Sequence, residues 1–299
     1  MSLLSILFSL VIEHFYESVS QFRDFRWMIS FSDWVKEKLS KSEFWNDTLG
    51  LIIIVLTPVL GCAIVFSLLN NALALLGFLF SLLVLVYCLG PVRTHHIAKQ
   101  YLDASDHEDE HSMKTYAIEL IGTQATDNAA ENNALICEKI FINTNENILA
   151  VFFWFVLLGP MGALMFRMVN VLFIKSQAQS EADSESSDDQ QHQEFDNSTR
   201  MLYSILLWLP AQLTTLTFAI TGSFIDTLHE WKNRLSSDYL NPLECELTLF
   251  RTGMSALQLD PNSHSFDAST VNDVLALCWR SIIVWVTALA LLTLAGLAG

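Results

Sequence analysis

Arg167 and Asn170 stand three residues apart in the run 148–172, ILAVFFWFVLLGPMGALMFRMVNVL, and Asn145 and Glu146 stand just ahead of it. The stretch from Asn147 to Phe166 carries no charge. Residues three apart share a helix face, and a guanidinium beside an amide suits bidentate contact with a carboxylate or phosphate. A charged residue in or at the rim of an apolar span is costly and is a functional candidate by default. Plainer roles compete with that reading. Arg167 can snorkel to headgroups at the outer rim, and Glu146 can cap the helix start and answer its dipole. Gly159, Pro160 and Gly162 either open the helix around an intramembrane site or let neighbouring helices approach closely.

Two further residues are candidate ligand contacts. Glu119 lies in the apolar context YAIELIG, either as a binding carboxylate or on a solvated helix face. Gln212 falls in the middle of an apolar run, where it binds a ligand or hydrogen-bonds a neighbouring helix. The cluster Asp103, Asp106, His107, Glu108, Asp109, Glu110, His111 contains metal-ligating types, with Asp103/His107 and His107/His111 at i, i+4. It has no HExxH order, and a solvated acidic turn is the reading adopted. The sequence has no GxxxxGK[ST], GxGxxG or GxSxG motif. No catalytic residue, cofactor or metal is therefore expected. Cys62, Cys88, Cys137, Cys245 and Cys278 show no CxxC spacing, so neither disulfides nor zinc are expected.

These residues need elements to hold them, and composition says which kind. The chain has 299 residues, 52% of them hydrophobic, with a net charge of −16. Both facts hold only if charge is segregated into loops. No charged residue lies between Asp47 and Arg93, between Arg200 and Asp226, or after Arg280. A bilayer core needs about 20 apolar residues per helix. The fold class expected is all-α, a polytopic helical membrane protein with four or five spans and a small cytoplasmic helical layer. Spans are expected at 51–69 and 72–89, turning at Asn70-Asn71, then at 148–174, 201–225 and 281–297. Residues 1–16 form an apolar segment closed by Glu13, without a basic start or cleavage site for a signal peptide.

Lysine and arginine concentrate in 17–50, 93–147 and 226–280. Helix alternation then puts those loops in the cytoplasm and the acidic segment 175–200 in the periplasm. Within the latter, 176–199 is rich in Ser, Gln, Asp and Glu and reads as a disordered linker. Loop 17–50 interleaves Phe22, Phe25, Phe31, Trp34, Val35 and Leu39 with basic residues. It is either an interfacial amphipathic helix or a helix packed on the other loops. With no basic stripe, nucleic acid is excluded as a partner, and the lipid bilayer is the one partner composition implies.

Phe152-Phe153-Trp154-Phe155, Leu158-Gly159-Pro160-Met161-Gly162-Ala163 and Phe166-Arg167 resemble the signature of the AmpE family of inner-membrane proteins. Asn145-Glu146 and Trp208-Leu209-Pro210-Ala211-Gln212-Leu213-Thr214 fit the same pattern. The likeness is looser to the related CobD/CbiB proteins of cobalamin assembly. The AmpE resemblance implies a multi-pass protein of the bacterial inner membrane that modulates β-lactamase induction in step with cell-wall recycling. It implies a wall-derived or nucleotide-like ligand at the membrane–cytoplasm boundary, bound by Asn145, Glu146, Arg167 and Asn170, and a cytosolic partner such as an AmpD-like amidase. The CobD/CbiB resemblance implies instead an ATP-using enzyme that joins an amino-alcohol phosphate to a corrinoid carboxyl group. Those proteins carry an arginine where this chain has Gln212, which argues against identical chemistry.

Overall fold

The computed structural model describes residues 4–9, 24–39, 47–90, 93–122, 125, 126, 128–182, 190–234, 241–261, 263 and 266–295. Among these, every regular element is a helix. Residues 4–9 are helical, and after them in chain order come α1 (Arg26–Leu39), α2 (Asp47–Ala72), α3 (Ala74–Cys88), α4 (Arg93–Asp106), α5 (Glu110–Ile121) and α6 (Ala129–Thr144). A π-turn (Asn145–Leu149) carries α6 directly into α7 (Ala150–Leu158). Then come α8 (Pro160–Ala182), α9 (Gln190–Thr221), α10 (Phe224–Arg234), α11 (Pro242–Ala256) and α12 (Ala268–Leu294). The closing Glu13 of the first apolar run lies outside the described residues.

Among the described residues, four helices are long and apolar enough to cross a membrane: Thr48–Ala72, Ala129–Leu158, Glu194–Thr221 and Ala268–Thr293. The apolar α3 is shorter. Their surroundings differ. The first is only 28% buried and presents Leu56, Leu60, Ile64 and Leu68 outward, as a lipid-facing helix must. The second is 72% buried and is enclosed by the others. The α2–α3 hairpin turns later than the Asn70-Asn71 expectation. Helix α2 runs on to Ala72, and Leu73, extended at φ −156°, makes the turn. Asn70 lies on Gly77, where an added Cβ would sit 2.6 Å from its Oδ1.

Two apolar cores divide the molecule. One joins α2, α3, α7 and α8 with the first half of α9 and the end of α12, around Ile54, Leu85, Phe152, Phe155 and Phe166. The other joins α4, α5, α6 and α11 with the second half of α9 and the start of α12, around Tyr101, Ile136, Phe141, Phe218 and Leu249. This second core gathers the helices of segments 93–147 and 226–280, and it also takes in α6 from the Ala129–Leu158 span and parts of α9 and α12. Its helices start on side-chain caps: Asn128 accepts from Ala130 N, Asn241 from Leu243 N and Asp267 from Thr270 N.

The main departure from expectation is at 148–174, which is not one spanning helix. Gly159 takes φ +68°, ψ −152°, a conformation essentially restricted to glycine, and Pro160 starts a new helix. Helices α7 and α8 fold back along each other. Gly162 meets the turn of Trp154 so closely that a Cβ there would lie 2.1 Å from the Trp154 carbonyl oxygen. The alternation that put 175–200 opposite loop 17–50 loses its premise. The contacts agree: Lys175 pairs with Asp33, the Lys36 ammonium sits 3.4 Å from the Phe195 ring centroid, and Thr48 Oγ1 lies 3.1 Å from Ser198 Oγ. Segments assigned to opposite faces thus touch. Nor are 176–182 and 190–199 disordered. They extend α8 and α9, because Phe195 and Thr199 find burial that composition alone does not reveal.

Candidate functional site

The π-turn Asn145–Leu149 lies where the long helix passes from the second core to the first. One extra residue per turn rotates successive side chains, and such turns recur at functional sites. Here it buries Asn145 completely and leaves Glu146 only 9% exposed. The fold-back at Gly159 then returns α8 to this level, so that Arg167 and Asn170 arrive beside Glu146 and Asn147.

The arginine is held from three directions. Its Nε donates to the Cys88 carbonyl at 2.7 Å, and its Nη1 donates to Asn147 Oδ1 at 3.0 Å and to Asn170 Oδ1 at 3.1 Å. The guanidinium carbon also lies 5.4 Å from the Phe25 ring centroid, within cation–π range. Asn170 turns its amide the other way, and Nδ2 donates to Glu146 Oε2 at 3.4 Å. Tyr203 of α9 donates to the other carboxylate oxygen. That phenol ring is stacked on Phe173 at 4.1 Å, which fixes its direction. Thr214 donates to Asn145 Oδ1 at 2.7 Å, and Gly90 N donates to the Asn147 carbonyl at 3.1 Å. Gly90 has to be glycine, since a Cβ would fall 2.0 Å from Asn147 Oδ1.

The result is a buried acid and a buried base joined through Asn170, with α3, the π-turn, α8 and α9 all tied to it. Removing one member of such a unit leaves an uncompensated buried charge, at a cost of about 3–5 kcal/mol. Two plainer readings are corrected. Arg167 is 3% exposed and bonded inward, so it does not snorkel. Glu146 stands inside a continuous helix, so it caps no N-terminus. Asn145 Nδ2 is enclosed with no hydrogen-bond acceptor among the described residues, so one donor at the site is unused.

Glu246 of α11 belongs to the electrostatic surroundings. Burial first, and then the charge of Glu146, push its carboxyl up to about 7. On the opposite margin, His95 of α4 donates from Nε2 to Thr144 Oγ1 at 3.0 Å, since the threonine hydroxyl itself donates to the Ile140 carbonyl. Burial, followed by the charge of Lys99, pulls its imidazolium down to about 4.

Asn145, Glu146, Arg167 and Asn170 therefore come together. Glu119 and Gln212 do not join them. Glu119 is exposed on α5, and Gln212 accepts from Trp231 Nε1 of α10 at 2.5 Å. In the acidic cluster, α4 ends at Asp106 and α5 begins at Glu110, so His107 and His111 do not share a helix. Asp109 caps α5 by accepting from Ser112 N and Oγ, and those bonds hold its carboxyl below the usual range. Among the described residues, no group of three or more His, Cys, Asp or Glu is arranged to hold a metal ion. Asn147, Tyr203 and Gly90 were not singled out from sequence, and Thr214 only as the end of the motif that begins at Trp208. A lone tyrosine hydroxyl in an apolar helix was the available signal for Tyr203, because a buried phenol seeks an acceptor.

A family model described as regulatory signalling modulator protein AmpE matches residues 1–298. Neither a curated protein nor a solved structure matches the chain.

Proposed function

Because the chain belongs to the AmpE family of regulatory signalling modulators, we propose that it is an inner-membrane regulator of β-lactamase induction, responding to cell-wall recycling through the unit built on Glu146, Asn147, Asn170 and Arg167. The observation that carries this reading is the position of that unit. It sits at the junction of the two apolar cores and is bonded to α3, α8 and α9 at once. A change in its hydrogen bonding would shift the membrane helices and the helical layer together. Glu246, poised near neutral pH beside Glu146, gives the unit a neighbour whose charge responds to small changes.

In this proposal a small wall-derived or nucleotide-like ligand reaches the Glu146 side from the cytoplasmic boundary. The free donor of Asn145 supplies one contact for it. The helices α4, α5, α10 and α11 then meet a cytosolic partner, for which an AmpD-like amidase is the candidate. The CobD/CbiB alternative gains no support from the site. Gln212 is spent on Trp231, and the Nε and Nη1 of Arg167 are committed to the protein itself.

The test is a β-lactamase induction assay on Glu146→Gln and Arg167→Lys at matched membrane abundance. Lysine keeps the charge but cannot serve Cys88 O, Asn147 and Asn170 with a fixed fork. Both variants are expected to lose the response. Normal induction by both would remove this unit from the signalling path.

A further inference from the structure

Helix α1 presents three distinct faces. Met28, Ser32 and Val35 are buried against the protein, where α1 packs on α2 and α8. Asp33 and Glu37 are exposed, Asp33 towards Lys175 of α8 and Glu37 on the side away from that core. Along one flank between the two run Trp27, Phe31 and Trp34, at i, i+4 and i+7. Trp27 and Trp34 are 42% and 55% exposed, although tryptophan is among the side chains most costly to leave in water. Phe31 stacks on Trp34 at 6.2 Å, and Lys38 extends over the Trp34 ring at 5.5 Å.

The depth of this flank is fixed by a second observation. Trp27 Nε1 donates to Tyr87 Oη at 2.6 Å, and that hydroxyl donates to the Asp24 carbonyl at 2.7 Å. Tyr87 is in the last turn of the apolar α3, and α2 starts its own exposed apolar face at Leu49, continuing through Ile52, Ile53 and Leu56. The aromatic flank is therefore continuous with the lipid-facing surface of α2 and α3, at the level where those helices end. Tryptophan and tyrosine collect at that level in membrane proteins because one edge is apolar and the other bonds to water and headgroups.

We propose that α1 is an interfacial anchor whose Trp27–Phe31–Trp34 flank enters the headgroup–acyl boundary of the bilayer. Aromatic burial is the driving force, and anionic lipid is not required. Arg26, Lys36 and Lys38 are offset by Asp24, Asp33 and Glu37, and Arg26 is already bound to Asp24 at 2.9 Å. Such a helix gains little from a negative surface. The anchor would hold α1 at fixed depth, and with it Phe25, which lies against Arg167.

The experiment places a nitroxide on Trp34→Cys and, as the water-facing reference, on Glu37→Cys, in the full chain in phosphatidylcholine vesicles. The five native cysteines are buried, and labelling of the parent gives the background. The expected result is a label at 34 relaxed more by oxygen than by a water-soluble nickel complex, about 5–10 Å below the headgroup boundary. The label at 37 should show the reverse. Adding phosphatidylglycerol should leave both unchanged. A label at 34 as open to nickel as the one at 37 would overturn the proposal. So would one shielded from both reagents, which would mean that a second copy covers the flank. Immersion that needs phosphatidylglycerol would overturn it as well, in favour of electrostatic attachment.

Discussion

Gly162→Ala should test the fold-back more severely than its one added methyl group suggests. The Cβ would lie 2.1 Å from the Trp154 carbonyl oxygen, 2.9 Å from its carbonyl carbon and 2.8 Å from Leu158 Cβ. Ordinary carbon–oxygen contacts are about 3.3–3.6 Å, so α7 and α8 must part by more than about 1 Å. The obstacle is backbone and cannot swing aside as a flexible side chain would. Overpacking costs about 1–3 kcal/mol, and a backbone clash places this case at the upper end or beyond. Gly61→Ala is the control, since nothing lies within 4 Å of its added Cβ. There alanine should stabilise α2 by up to about 1 kcal/mol. The two variants should differ by about 4 kcal/mol, nearly three powers of ten in the unfolding equilibrium. Titration of the folded protein with a denaturing detergent, followed by tryptophan fluorescence, measures it. Equal midpoints for the two variants would refute close packing of α7 on α8.

Tyr203→Phe deprives one Glu146 oxygen of its donor and should destabilise the protein by about 1.5–3 kcal/mol in the same titration. Gln212→Ala, by contrast, should leave the Glu146 unit and induction intact, since Gln212 bonds only Trp231 among the described contacts. Deleting 178–197 should lower membrane abundance in a quantitative blot, because it removes the buried Phe195 on which Lys36 sits. The pH dependence has two opposed parts. Glu246 is raised to about 7 from an ordinary carboxyl near 4.5, so its contribution is complete below pH 4.5 and is lost as pH rises through 7. His95 is lowered to about 4 from 6.5, so the folded protein loses stability as pH falls from 6.5 towards 4. Between pH 6.5 and 7.5 the opposing contribution of His95 fades while Glu246 still titrates, and Glu246→Gln should flatten the decline in stability over that window.

The helical membrane class was legible because apolar runs of spanning length and segregated charge are one-dimensional features. Asn145, Glu146, Arg167 and Asn170 were legible too, as polar residues in apolar company. Their meeting was not. Counting apolar residues treats 148–174 as one rod and puts Glu146 and Arg167 at opposite faces of the bilayer. The bend depends on Gly159 adopting a positive φ, and a glycine-proline pair within a span is equally compatible with a straight or gently kinked helix. The error at 175–200 has the same origin. Its polar composition suggests disorder, yet Phe195 and Ser198 are placed by contacts with a segment more than 140 residues distant. Tyr203 and Thr214 became site residues only once α9 was known to cross the π-turn.

The fold-back and the site it assembles stand or fall on sidedness. Single cysteines at Glu37, Asn71 and Ala178, all exposed positions, can be labelled with a membrane-impermeant maleimide in right-side-out and inverted vesicles. With α7 and α8 folded back and Lys175 paired to Asp33, positions 37 and 178 must react from the same face, and position 71, at the far end of α2, from the other. Labelling of 178 together with 71 would mean that 148–174 crosses the bilayer as a single helix, and Arg167 would then not reach Asn147.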